Sequence, residues 1–303
     1  MNLSQTSRSL DPLADVLSVL DARPTRTTRL EAAGEWALTF PALERLKFVA
    51  QLHGAGWLLL PDRPPLRIVA GDCCLIGRSA YTIASDPAVA PVEGAPLYAD
   101  GNDLVHLGGD ETVAIGGGIA FAPDAGGFLL DLLPPVMHIS GTSPESTTIA
   151  AVLALLDRET SKDGLGQKLV AARLAEVLMI QAIRALASTQ DMIGGWFGAL
   201  AEPRLGRALR CFHGDIGRPW TVADLAAEAG MSRAAFSAAF TRQIGLPPLS
   251  YVRNWRLTRA RAALASRHES IKRVAADIGY TSESAFGHAF RRHFGFAPRK
   301  SAG

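Results

Sequence analysis

The chain has 303 residues, of which 48% are apolar, with a mean hydropathy of +0.13 and a net charge of +2. That length suits two domains with separate cores, and the apolar share excludes long disorder. No run of 18 apolar residues occurs, and the opening MNLSQTSRSLDPLADVL lacks the apolar stretch and cleavage site of a secretory signal. The chain therefore reads as cytoplasmic, with no membrane partner.

The charge is unevenly spread. Residues 204–303 carry 17 Lys and Arg against 6 Asp and Glu, while residues 1–203 carry 14 against 23. An acidic domain joined to a basic one points to a polyanionic partner for the basic part.

In chain order, the first 140 residues show short apolar runs divided by Gly, Pro and Asp. Strands are predicted at Glu35–Phe40, Lys47–Leu52, Gly56–Leu60, Leu66–Ala70, Cys73–Ile76, Asp103–Leu107 and Val113–Phe121. Turns fall at His53-Gly54, Pro61-Asp62, Gly71-Asp72 and Gly108-Gly109. Many short strands with such punctuation imply an antiparallel sandwich or barrel. The stretch Pro65-Leu-Arg-Ile-Val-Ala-Gly-Asp-Cys-Cys-Leu-Ile76 resembles a cupin-type sensor domain, which implies a barrel with a signal-binding interior.

Cupin enzymes hold a metal with a His-x-His pair, a Glu and a later His. Here His53 stands alone, and His106 and His138 are scattered, so neither a metal site nor a cofactor is expected. No nucleophile triad or paired carboxylate stands out, which argues against an enzyme. A small-molecule effector in the barrel is the leading signal, lined by Trp36, Phe48, Trp57 and Tyr81, residue types that more often simply form core. Two alternatives stay open. One is a thiol-based redox switch at Cys73 or Cys74, with Arg67 or Arg78 lowering a thiol pKa. Strand alternation would send one of the pair inward and the other outward. The other alternative is a metal-binding cupin enzyme fused to a DNA-binding domain.

Helical periodicity follows over Pro144–Glu159 and Leu165–Ala187. Leu165, Leu169, Leu174, Val177, Leu178 and Ile183 make the second helix apolar on more than one face, which calls for burial against the barrel and against a second copy in a homodimer, with purely intrachain packing as the open alternative. Gly194-Gly195 and Glu202-Pro203 mark a linker. The expected division is 1–140 sensor, 141–203 helical dimerisation and linker region, and 204–303 basic domain.

The basic domain contains a repeat. Val222, Leu225, Ala226, Gly230 and Ser232 match Ile271, Val274, Ala275, Gly279 and Thr281 at a spacing of 49, and Phe240, Gly245 and Pro248 match Phe290, Gly295 and Pro298 at 50. In each copy a short amphipathic helix ends at a glycine free to take positive φ. A second helix then starts at a hydroxyl cap, Ser232 in one copy and Thr281 in the other, and buries a Phe pair one turn apart: Phe236 with Phe240, then Phe286 with Phe290. Thr221 and Asp224 form a capping-box start for the first copy. Two such units read as a paired helix-turn-helix.

The run from Trp220 to Ser301 resembles the AraC/XylS family of transcription regulators, above all in Gly279-Tyr-Thr-Ser-Glu-Ser-Ala-Phe-Gly-His-Ala-Phe-Arg-Arg-His-Phe-Gly-Phe-Ala-Pro298 and in the linking helix Ser250 to Leu264. The resemblance implies a regulator that binds double-stranded promoter DNA, with two recognition helices in successive major-groove segments about 34 Å apart. RNA polymerase stays open as a further partner. The family pattern puts base-facing side chains at Ala234, Ser237 and Ala238, with a share from Arg233, and at Glu283, Ser284, Gly287 and His288. Arg233, Thr241, Arg242, Arg291, Arg292 and Lys300 lean on phosphates. The first recognition helix departs from the pattern in offering only small groups to the bases, which shifts the reading toward thymine methyls and DNA shape. The whole is an α+β chain: a cupin-like antiparallel barrel, a helical dimerisation region and an all-α domain with two helix-turn-helix units.

Overall fold

The computed structural model describes residues 12–121, 127–144, 146–161, 164–188, 195–265 and 269–298. They divide into two compact units. Among the described residues, those within 23–120 and 133–188 build a sheet unit, and those within 12–22, 121–132 and 195–298 build a helical unit.

The sheet unit contains β1 (Arg23–Pro24), β2 (Thr28–Ala32), β3 (Ala37–Phe40), β4 (Arg45–His53), β5 (Ala55–Leu59), β6 (Leu66–Val69), β7 (Cys73–Ile76), β8 (Tyr81–Ala84), β9 (Val92–Glu93), β10 (Leu104–Leu107), β11 (Thr112–Ala120) and β12 (Val136–Ile139). The larger sheet runs β10-β2-β11-β4-β7-β12 with β1 added on β11, and the smaller runs β6-β5-β8-β3-β9. Of the expected antiparallel sandwich or barrel, the strands form two sheets that do not close into a barrel, and the β2–β10 and β3–β9 pairs are parallel. All seven predicted strands form, within three residues at each end.

Alternation on β4 and β7 sorts the layers. Val49, Cys74 and Ile76 join Leu30, Trp36, Leu58, Tyr81 and Ile83 in the core between the sheets. Phe48, Leu75 and Cys73 lie on the opposite face, which α3 (Ser146–Thr160) and α4 (Gln167–Ser188) cover. The close approach of β4 and β11 demands Gly117 and Gly118. A Cβ on Gly117 would sit 2.7 Å from the Phe48 ring, and one on Gly118 would sit 2.4 Å from the Leu46 carbonyl oxygen. Arg29 is 6% exposed and fastens α3 to the sheet, donating to Glu31 at 2.8 Å and to Asp157 at 2.7 Å.

The helical unit contains α1 (Pro12–Val19), α2 (Gly127–Leu130), α5 (Gly195–Ala201), α6 (Pro203–Gly214), α7 (Val222–Glu228), α8 (Arg233–Ile244), α9 (Pro248–Ala265), α10 (Ile271–Asp277) and α11 (Glu283–Phe294). The placement of α1 in this unit differs from its assignment to the sensor region by sequence. It packs on α6 and α9. Among the described residues no helix is long and apolar enough to cross a membrane.

Candidate nucleic-acid interface and sheet-unit cavity

Each helix-turn-helix unit is closed by local chemistry. Thr221 and Asp224 form a full capping box at the start of α7, and the two hydrogen bonds from Thr221 hold the Asp224 carboxyl below the usual carboxylate range. α7 ends at Gly230 (φ 63°), with the Gly230 and Met231 N–H groups donating to Ala227 and Ala226 at 3.0 and 2.9 Å. α10 ends the same way at Gly279 (φ 83°), where Gly279 and Tyr280 donate to Ala276 and Ala275 at 2.9 and 2.8 Å.

The second helices match residue for residue. Ser232 accepts from the Ala235 N–H at 3.3 Å, and Ser282 accepts from the Ala285 N–H at 3.2 Å. The cap of α11 is therefore Ser282, not Thr281. The inserted residue of the repeat falls between Gly279 and the cap, and Thr281 sits one position outside the helix. Phe236 and Phe240 are buried with ring centroids 5.4 Å apart, and Phe286 and Phe290 at 5.5 Å. α8 and α11 close on left-handed Gly245 and Gly295, whose N–H groups donate to Thr241 and Arg291, both at 2.8 Å.

With the Phe pairs inward, the outward faces coincide. Arg233, Ala234, Ala238, Thr241 and Arg242 on α8 are exposed, and so are Glu283, Ser284, His288, Arg291 and Arg292 on α11, while Ser237 and Gly287 are half-buried. Ala235 and Ala285, which the sequence reading left out, are exposed on the same faces. Lys300 lies outside the described residues. The α8 face carries small groups between Arg233 and Arg242, whereas the α11 face carries an acid, a hydroxyl and an imidazole before its two arginines.

Sequence reasoning also missed what fixes one unit against the other. Arg256 on α9 donates to the carbonyls of Ile216 (2.7 Å) and Arg218, in the loop before the first unit. That loop meets the turn of the second unit backbone to backbone. A Cβ on Gly217 would lie 2.9 Å from the Asp277 carbonyl oxygen, and one on Gly279 would lie 2.3 Å from the Gly217 carbonyl oxygen. A glycine followed by Arg218-Pro219 signals a turn, but nothing in the sequence tells that the turn touches residue 279.

In the sheet unit a cavity of about 390 Å³ lies between the two sheets. Of the four aromatics expected to line a pocket, only Tyr81 faces it. Trp36 is in the core, Phe48 is on the far face of β4 against Gly117, and Trp57 lies half-buried with the Arg67 guanidinium 5.8 Å from its ring centroid. The aromatics that join Tyr81 are Phe40, stacked on it at 5.0 Å, and Tyr98.

The cysteine expectation is corrected. Cys73 and Cys74 are both fully buried, because the larger sheet is covered on both faces. Burial and the neighbouring Asp72 push the Cys73 thiol up to about 12, and burial raises Cys74 as well. Arg78 is paired with Glu44 at 2.6 Å. This is the reverse of a thiolate-forming environment. The three histidines stay apart: His53 is 3.4 Å from Asp157, His106 is 3.4 Å from Glu31 and His138 is 3.0 Å from Asp72. Among the described residues no three His, Cys, Asp or Glu side chains gather as a metal site requires.

Comparison with known proteins gives a consistent picture. The sequence matches the family described as Cupin over residues 11–188 and the family described as Helix-turn-helix domain over residues 225–302. An AraC-like transcription regulator of Streptomyces lividans is 36% identical over 294 residues, covering 95% of this chain and 97% of that protein. The HTH-type transcriptional regulator AlkR of Acinetobacter baylyi is 28% identical over 305 residues, covering 96% and 98%. A solved transcriptional regulator with an AraC-type DNA-binding domain, from Chromobacterium violaceum, is 30% identical over 34% of this chain and 93% of its own, with a TM-score of 0.32.

Proposed function

The chain belongs to the AraC-like family of transcription regulators, and from that premise we propose that it is a cytoplasmic homodimer, not an enzyme, that reads promoter DNA with α8 and α11 under the control of a small molecule held in the sheet unit. The observation that carries the reading is the matched pair of outward faces on α8 and α11, each presented by a buried Phe pair and a serine cap. Arg233, Ala234, Ser237 and Ala238 face bases from α8, and Glu283, Ser284, Gly287 and His288 from α11. Thr241, Arg242, Arg291 and Arg292 follow one turn later and contact phosphates. The dimer reading is supported by Leu169, Val170 and Val177, large apolar side chains left exposed on α4.

The test is the salt dependence of DNA affinity. Arg291→Ala or Arg292→Ala weakens binding to all sequences alike and lowers the slope of log K against log [salt] by about 1 for each lost phosphate contact. An unchanged slope removes these arginines from the interface.

A further inference from the structure

The cavity between the sheets has an unbalanced wall. Lys47, on β4 and 5% exposed, projects between the sheets on the same face as Val49, and Arg45 lies two residues earlier on that face. Among the described residues no Asp or Glu lines the cavity. Among the described residues no carboxylate forms an ion pair with Lys47 or Arg45. Arg26, at the cavity edge, is already paired with Asp103 at 2.6 Å. The Lys47 ammonium has three N–H donors. It donates to the Pro41 carbonyl at 2.8 Å, and its Nζ sits 4.6 Å from the Tyr81 ring centroid. A buried charge is ordinarily matched by a counter-charge, because desolvation is costly without one. Here the protein supplies one carbonyl and the face of a ring.

The remainder of the wall is flat and apolar. Phe40 and Tyr81 are stacked with an interplanar angle of 21°, Tyr98 leans on Phe40 at 6.4 Å, and Val49, Ile83 and Ile115 complete the lining. On β11 the wall is formed by Ala114 and Ile115, and Gly116 adds no side chain to it. The volume falls within the range of small-ligand sites, which begins near 300 Å³.

We propose that this cavity binds a small organic monocarboxylate with a flat apolar body, its carboxylate on Lys47 and Arg45 and its body between Phe40, Tyr81 and Tyr98. The proposal rests on the reading of the sheet unit as the sensor and names the chemical class of its effector. The ligand carboxylate supplies the counter-charge that the fold omits, so affinity for the anion exceeds that for a neutral isostere. The titration of Lys47 adds a second signature. Burial, reinforced by Arg45, pushes its ammonium down to about 8. A bound carboxylate raises that value again, so affinity for the anion falls as pH rises from 7 to 9 and binding takes up protons in that range. The other groups facing Lys47 are Tyr81 and Tyr98, whose phenols burial raises, and the paired Arg26.

The experiment titrates the full chain calorimetrically with 2-naphthoate and with its uncharged isostere 2-naphthamide, at pH 7 and pH 9. The expected result is a preference for naphthoate of about tenfold or more at pH 7, shrinking at pH 9. In Lys47→Met the preference disappears while amide binding remains, and Lys47→Arg restores it. Equal binding of the two probes, a preference that survives in Lys47→Met, or binding of neither probe overturns the proposal. The sensor reading has its own readout, the DNA affinity of the same samples. If the amide binds as well as the acid and changes DNA affinity, the sensor stands and only the anionic class falls.

Discussion

The Nδ1 atom of His213 lies 2.9 Å from Oδ2 of Asp15, a residue 198 positions earlier, and both side chains are buried. The pair is one step of a hydrogen-bonded chain. Trp196 Nε1 donates to the Tyr251 hydroxyl at 2.7 Å, the Tyr251 hydroxyl lies 2.8 Å from His213 Nε2, and His213 Nδ1 faces Asp15. Arg259 donates to the other Asp15 oxygen at 3.0 Å. A neutral His213 protonated at Nδ1 satisfies each of these groups, and a single residue of α1 thereby joins a network running through α5, α6 and α9.

Asp15→Ala leaves His213 without its acceptor and Arg259 without its ion pair. We expect a loss of about 1–3 kcal/mol in the stability of the helical unit, measured by denaturant unfolding. A loss near zero would mean that α1 contributes nothing to that unit.

The same network sets a pH dependence. Burial lowers the His213 pKa from its ordinary 6.5, with Arg259 acting in the same direction and Asp15 opposing. A depressed folded-state value means that the stability contributed is complete above the unfolded pKa and is lost as pH falls through the folded one. Unfolding at stepped pH should show the helical unit weakening below about pH 6.5, with the slope reduced in His213→Asn. A slope that survives the substitution would place the titrating group elsewhere.

The backbone meeting of Gly217 and Gly279 predicts a sharper effect on DNA than on folding. Gly217→Ala forces a Cβ to within 2.9 Å of the Asp277 carbonyl oxygen, which should cost about 1–3 kcal/mol of stability. The two recognition helices should also be held less favourably for a site with two half-sites. Fluorescence anisotropy on full and half sites should show the full-site affinity falling while half-site affinity is kept. Equal losses on both would mean that the contact does not set the spacing.

Burial of both strand thiols predicts their chemical silence. Native protein treated with iodoacetamide at pH 8 should be unmodified at Cys73 and Cys74 by mass spectrometry, and both should react once the chain is unfolded. Rapid native alkylation of either would return the redox switch to consideration.

The parts of the fold legible in sequence were those held by local chemistry. The Phe236/Phe240 and Phe286/Phe290 pairs one turn apart, the glycines that accept positive φ and the Thr221–Asp224 box all act within a few residues of themselves. The second cap was misplaced by one because Thr281 and Ser282 are adjacent hydroxyls and only the loop conformation chooses between them. Strand β2 escaped notice because Arg29 and Glu31 make it look like a solvated segment, yet α3 covers them through Asp157. Alternation does send Cys73 and Cys74 to opposite faces of the sheet, but helices cover the outer face, so both thiols are buried. Lys47 was overlooked because a lysine in a strand reads as surface. The Asp15 network was invisible: its partners are 198 and 244 residues away, and no local pattern records such a distance.

The most direct test of the central claim, that α8 and α11 both read DNA, is a hydroxyl-radical footprint of the full chain on a site obtained by in vitro selection. Two protected stretches on one face of the duplex, about one helical turn apart, are predicted, with His288→Ala changing base preference in only one of them. A single protected stretch, or a footprint that His288→Ala weakens without any change of preference, would contradict it.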